Sequence, residues 1–237
     1  MDNLSIDISS IVKFKKQNPR KVDLANKLVN LSGLVRDIFL KTKFESVHQQ
    51  LLIQEVFRNF RESLLFCMRG EPQSALSMGR IAAEGSRNLL RMLDDPTLAE
   101  LYSKGHAEKE NRKRWRKEFR FKNEEHALLN LYNMGSNFGI HSVMPITDKL
   151  SSVVSVGNKN FSIVSQKEHS KEVFIILMLT LYLAMSSFIT SAVKEIEKDE
   201  KTMSLGAQFA KEWSKLGPDI KKQEHIMKKK NETAKKA

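Results

Sequence analysis

From Val22 onward, apolar residues return every three to four positions: Leu24, Leu28, Leu31, Val35, Ile38 and Phe39, then Leu51, Leu52, Val56, Phe57, Phe60, Leu64 and Leu65. That period puts them on one helical face. It predicts two helices between Val22 and about Gly70, divided near Thr42 to Ser46. Gly70, Glu71 and Pro72 close the second helix and start the next, since glycine favours helix C-termini and proline suits a first turn. The helix Ser74 to Leu93 meets a further stop at Asp94-Asp95-Pro96. A highly charged helix is expected from Leu98 to about Lys122, and a more apolar one from Asn123 to about His141, ahead of Pro145. Upstream, residues 1–21 are polar and end in the basic stretch Lys13, Lys15, Lys16, Arg20, Lys21. Ile6, Ile8, Ile11, Val12 and Phe14 predict a short packed element there, before Pro19.

After Pro145 the texture changes. Val153, Val154 and Val156, then Phe161, Ile163 and Val164, flank Gly157-Asn158-Lys159-Asn160, the pattern of a small β-hairpin. A two-stranded ribbon is marginal alone, so it is expected to lean on the helices. Val173 to Val193 then runs 21 residues without a charge. Its hydropathy and length suit a membrane span. A central helix buried all round has the same composition. Thr180, Ser186, Ser187, Thr190 and Ser191 gather in its second half and no second run of this kind follows, which favours the core helix. The remainder reads as a charged helix, a break at Gly217-Pro218, and a disordered lysine-rich tail, KKQEHIMKKKNETAKKA. The expected fold is all-α: a helical bundle with one small β-hairpin between the last core helices. It divides into an N-terminal segment (1–21), a bundle domain (22–205) and a basic C-terminal helix or tail (206–237).

Composition narrows the function classes. The chain has 237 residues, 41% hydrophobic and 29% charged, enough for a real core. Its single cysteine, Cys67, excludes an intrachain disulfide framework and a cysteine-rich zinc site, and between Phe66 and Met68 it reads as a small core residue. The start, MDNLSIDISS, lacks a basic stretch followed by an apolar one, so no signal peptide is read and a cytoplasmic location is expected. The net charge of +12 and pI of about 9.7 favour a nucleic acid, an anionic lipid or an acidic protein as partner.

Three groups of residues are candidates for chemistry. Arg80, Glu84, Arg87 and Arg91 recur at i, i+4, i+7 and i+11 and share a face, opposite the small and apolar Ala75, Leu76, Gly79, Ala82, Ala83 and Ser86. Such a stripe can hold phosphate, or it can be a solvated face. Tyr132, Ser136 and His141 follow on the next apolar helix, and a histidine there can serve as acid or base or simply cap the helix end. Between Lys104 and Lys122 there are nine Lys/Arg against three Glu. Trp115 and Phe119 share a face and are expected to anchor that helix, leaving Arg112, Lys113, Arg116, Lys117 and Arg120 to track a phosphate backbone. His106, His126, His169 and His225 show no metal-ligand spacing with Cys, Asp or Glu, and HExxH, P-loop, GxGxxG and GxSxG motifs are all absent. Neither a metal nor a cofactor is expected.

The Arg80–Glu84 helix, followed by a Tyr-x3-Ser helix with a histidine before proline (Tyr132, Ser136, His141, Pro145), resembles bacterial helical proteins similar to the HEPN superfamily. The resemblance covers roughly Val47 to Val193. It implies a helical bundle that binds RNA or nucleotide phosphate, in many members a metal-independent ribonuclease of toxin or phage-defence systems, and often a homodimer. By that resemblance Arg80 and Arg87 would hold phosphate, Glu84 would orient them and His141 would be the acid/base. Tyr132 and Ser136 would line the substrate. The superfamily's ribonuclease motif, an Arg, a polar residue and a His after a gap of four to six, is not met. Arg87-Asn88 has no such His, and in Arg120…His126 Phe121 replaces the polar residue. An alternative from another class is a non-catalytic basic interaction protein, attached to a membrane through residues 173–193 or serving as adaptor for an acidic protein partner.

Overall fold

Helix ends in the computed structural model fall where local sequence cannot continue a helix. The structure describes residues 8–42, 47–104, 109–136, 151–156, 159–164 and 166–236. Helix α1 (Ile8–Gln17) stops at Asn18, whose side-chain amide donates to the Phe14 carbonyl at 3.2 Å, and Pro19 opens α2 (Pro19–Lys41). Thr42 ends α2 by donating both its N–H and its hydroxyl to the Ile38 carbonyl. Helix α3 (Val47–Arg69) ends at Gly70, which has φ +82°, left-handed backbone that a side chain would strain. Pro72 then starts α4 (Pro72–Asp94), where its missing N–H costs nothing. The Asp95 carboxylate accepts from the N–H and hydroxyl of Thr97, turning the chain into α5 (Leu98–Lys104).

Helix α6 (Lys109–Glu118) carries the basic cluster, and a 3-10 turn (Asn123–Glu125) leads into α7 (His126–Met134). Two short strands, β1 (Ser151–Val156) and β2 (Lys159–Val164), run antiparallel with Ser151 opposite Val164, and they are too small to form a layer of the fold. Gly157 and Asn158, between them, lie outside the described residues. Helix α8 (Gln166–Ser191), the short α9 (Val193–Ile196) and the long α10 (Glu200–Lys236) complete an all-α architecture.

Helices α3 and α4 form the central hairpin, and α8 lies across it in contact with α2, α3, α4, α7 and α10. The apolar period on α3 becomes a buried row of Ile53, Val56, Phe60, Leu64 and Cys67. On α8, Phe174, Leu177, Met178, Leu181, Met185 and Phe188 are buried, while Leu183, Ser187 and Thr190 form a narrow exposed edge. Ser170–Ser191 is long and apolar enough to cross a membrane, yet 61% of an apolar 18-residue window within it is buried in the bundle. Its composition is therefore used for core packing. Phe188 meets the rings of Phe39 and Phe57 edge-on, at 6.5 and 6.0 Å.

The C-terminal region departs from its expected form. No break occurs at Gly217-Pro218, because α10 continues through Pro218 to Lys236. The expected disordered tail is instead part of this helix. A proline inside a helix removes one hydrogen bond and crowds the preceding turn, by about 3 kcal/mol. Tertiary packing on both sides offsets this. Trp213 stacks on Tyr182 at 4.5 Å with an interplanar angle of 7°, and Phe209, Leu216 and Ile220 are buried. Trp213 also donates its indole N–H to the Tyr182 carbonyl at 3.3 Å.

The packing of α8 yields a direct test. Phe188→Ala is expected to lower stability by about 3–5 kcal/mol, whereas Leu183→Ser, on the exposed edge, changes it by less than about 1 kcal/mol. Chemical denaturation of the two variants in detergent-free buffer checks this, and equal effects would contradict the packing.

Candidate functional site

The charged stripe of α4 faces inward. Arg87 and Arg91 are only 8% and 5% exposed, and each is received by the segment that follows α6 or by α7. Arg80 lies over the Tyr132 ring at 5.1 Å, and Arg87 lies over the Phe121 ring at 4.9 Å. The rings of Phe121 and Tyr132 meet at 5.2 Å, so guanidinium and aromatic groups form one continuous layer. Arg87 also donates to the Asn88 side-chain oxygen at 2.8 and 3.1 Å and to Glu84 at 3.4 Å. Burial pulls the Arg87 guanidinium below its ordinary pKa, and the Glu84 carboxylate opposes that shift.

Arg91 closes the layer. It donates to the Arg120 backbone carbonyl at 3.1 Å and to one oxygen of Glu125, while Asp94 stands 3.6 Å away. The other Glu125 oxygen accepts the Lys122 backbone N–H at 2.9 Å, which fixes the start of the 3-10 turn. Side chains of Arg91 and Glu125 are 6% and 8% exposed, so the pair is desolvated and each ion depends on the other. Beside it opens a cleft of about 390 Å³, lined by Asp94, Lys122, Glu125 and the hydroxyl residues Ser186, Ser187, Thr190 and Ser191 of α8. The hydroxyls that interrupt the apolar run thus face the ionic end of α4.

At the other end of the stripe, α4 and the end of α7 touch backbone to backbone. A Cβ on Gly135 would sit 2.4 Å from the Leu76 carbonyl oxygen and 2.5 Å from Arg80 Cβ, so only glycine fits. Next to this contact, the Arg80 Nε and the Ser136 hydroxyl are buried without hydrogen-bond partners among the described residues.

The predicted residues therefore separate into two groups. Arg80, Glu84 and Arg87 lie on α4, Tyr132 on the facing α7 and Ser136 just beyond its end, with Glu84 partly exposed, Arg80 half-buried and Arg87 buried. His141 lies outside the described residues. The second group stands on or just beyond α6. Trp115 and Phe119 are 9% and 2% exposed, with ring centroids 4.3 Å apart, and Trp115 stacks on Tyr102 at 5.3 Å. Arg112, Lys113, Arg116, Lys117 and Arg120, together with Arg114, are exposed. Within this exposed set the salt bridge among the described residues is Lys117–Glu118, at 3.8 Å and largely in water. Elsewhere on the surface some basic side chains pair with neighbours on their own helix, as in Lys27–Asp23, Arg58–Glu55, Lys104–Glu100 and Lys215–Glu212, while others such as Lys15, Lys16, Lys221 and Lys222 are exposed without a salt bridge among the described residues.

Phe121 and Glu125, the residues that receive Arg87 and Arg91, carry no local signal of that role. Their pairing spans about 34 residues of chain. Among the described residues no group of three or more His, Cys, Asp or Glu could hold a metal ion. Cys67 is buried, and burial raises its thiol pKa well above the ordinary value, so it is not poised as a nucleophile. No protein-family model matches the chain, and no curated protein or solved structure matches it either.

Two substitutions test this geometry. Arg91→Ala leaves Glu125 desolvated without its counter-ion and is expected to cost about 3–5 kcal/mol, while the paired change Arg91→Met/Glu125→Leu costs much less. Equilibrium unfolding measures both, and additive losses in the pair would contradict a coupled buried ion pair. Gly135→Ala is expected to lower Tm by more than about 5 °C through the clash with Leu76 and Arg80. An unchanged melting curve would show that α4 and α7 are not in backbone contact.

Proposed function

We propose that this protein is a basic helical module that binds RNA through the phosphate backbone, using α6 as its contact surface. The observation that carries the reading is the contrast in charge use. Arg87 and Arg91 of α4 are desolvated and bonded within the bundle, whereas six cations on and beside α6 stand in water on a helix held by Trp115 and Phe119. Exposed, weakly paired cations clustered on and beside one helix attract a polyanion by releasing its counterions. The buried state of Trp115 and Phe119 keeps them from stacking on bases, so recognition would be salt-sensitive and nearly independent of sequence.

HEPN-like ancestry and a metal-independent ribonuclease activity belong to this proposal as its finer form, as does a β-hairpin leaning on the helices. In that form catalysis would rest on His141, Arg80 and Glu84. Arg87 suits a positioning role better than phosphate binding, because its guanidinium is already stacked on Phe121 and bonded to Asn88 and Glu84. The alternative of membrane attachment through residues 173–193 is weaker, since α8 would have to leave its contacts with five other helices.

The test is a titration of wild type and Arg112→Gln/Lys113→Gln/Arg116→Gln/Lys117→Gln with a fluorescent single-stranded RNA at several salt concentrations. The variant is expected to fold normally, bind at least tenfold more weakly at low salt, and lower the slope of log K against log salt by roughly 3, at about 0.7 per cation. Equal binding by both proteins would overturn α6 as the contact surface, and binding of acidic protein but not RNA would overturn RNA as the partner.

A further inference from the structure

A second, smaller basic site lies at the other end of the bundle. Three helices deliver cations to one cavity of about 50 Å³: Lys13 from α1, Arg69 from the end of α3, and Lys171 from α8. Ser10, Gln17 and Ser170 add polar groups to its wall, and no carboxylate is among the described residues lining it. Arg69 packs on Phe66, with its guanidinium carbon 5.5 Å from the ring centroid, and its Nε is buried without a hydrogen-bond partner. Arg69 and Lys171 are half-buried and Lys13 is exposed, so three like charges stand around the cavity and its mouth. The volume is several times the ~10–15 Å³ that one water needs, which suits a tetrahedral oxyanion.

The cavity is remote from α6. Its floor is Cys67 and Met68, about 19 residues or ~28 Å along α3 from His48, whose ring lies 6.2 Å from Tyr102 in the cluster that anchors α6. We propose that this cavity is a binding site for a phosphate-type oxyanion, held by Lys13, Arg69 and Lys171 and separate from the RNA-contacting surface. Charge-assisted hydrogen bonds from ammonium and guanidinium groups supply the recognition, and no carboxylate among the described lining residues competes with the anion for them. The oxyanion can be inorganic phosphate or the terminal phosphate of a larger ligand, and both present the same chemistry to the three cations.

Isothermal titration calorimetry of the full chain tests the site at constant ionic strength, with chloride as the reference salt. Inorganic phosphate and a nucleoside 5′-monophosphate are titrated separately. Saturable binding of either, weakened by about tenfold for each lysine removed in Lys13→Gln/Lys171→Gln, is expected. That variant keeps Arg69 on Phe66, and in chloride alone it should melt no lower than wild type because a repulsion has been removed. The α6 variant described above should retain wild-type affinity for phosphate. No saturable binding of either ligand to wild type, unchanged affinity in Lys13→Gln/Lys171→Gln, or an equal loss in the α6 variant would each overturn the site. Because the two variants touch different surfaces, failure here leaves the RNA proposal standing, and the converse holds.

Discussion

The fold turns on a row of guanidinium groups taken out of water. An ionised side chain loses several kcal/mol of hydration when buried, so Arg87 and Arg91 are tolerable inside the bundle only because specific partners replace that hydration. Phe121, Asn88 and Glu84 do so for Arg87, and Glu125, Asp94 and the Arg120 carbonyl do so for Arg91. These requirements fix the path of the chain between α6 and α7. Phe121 must lie over Arg87 and under Tyr132, and the turn at Lys122–Glu125 must present its carboxylate to α4. With that segment set, Phe119 and Trp115 are seated on Tyr102, and the orientation of α6 follows.

This arrangement sorts the protein's positive charge into two populations with different physics. Buried arginines have their bonding directions committed and lie beyond the reach of salt. The cations of α6 are exposed to water and open to a partner, and a net charge of +12 strengthens their field at long range. Structure and function thus draw on the same residue types without competing for the same atoms. Mutating an arginine of α4 alters the bundle first and binding only through it, whereas α6 can lose charge with little effect on the core.

Local signals were legible in the sequence and long-range ones were not. The stops at Gly70–Pro72 and Asp94–Pro96 follow from backbone conformation and a missing N–H, which neighbouring residues determine. The period of α3 and the charge-free run of α8 show which faces need burial, and Trp115 with Phe119 shows which side of α6 turns inward. The α4 stripe was ambiguous, because i, i+4 spacing shows that its charges share a face but not what that face meets. Its partners Phe121, Glu125 and Tyr132 lie roughly 30–50 residues on and share no repeat with it. Pro218 misled for the converse reason: the local rule for proline holds, but stacking of Trp213 on Tyr182 and burial of Leu216 and Ile220 outweigh it.

The most direct measurement of the central claim is the exchange of arginine Nε–H protons, observed by NMR with arginine-selective labelling. If Arg87 and Arg91 are desolvated and bonded as described, their Nε–H signals will exchange far more slowly than those of Arg112 and Arg116 and will stay unshifted when RNA is added. Rapid exchange of Arg87 and Arg91 alongside the α6 arginines, or shifts in their signals on adding RNA, would contradict the account by placing the α4 row in solvent.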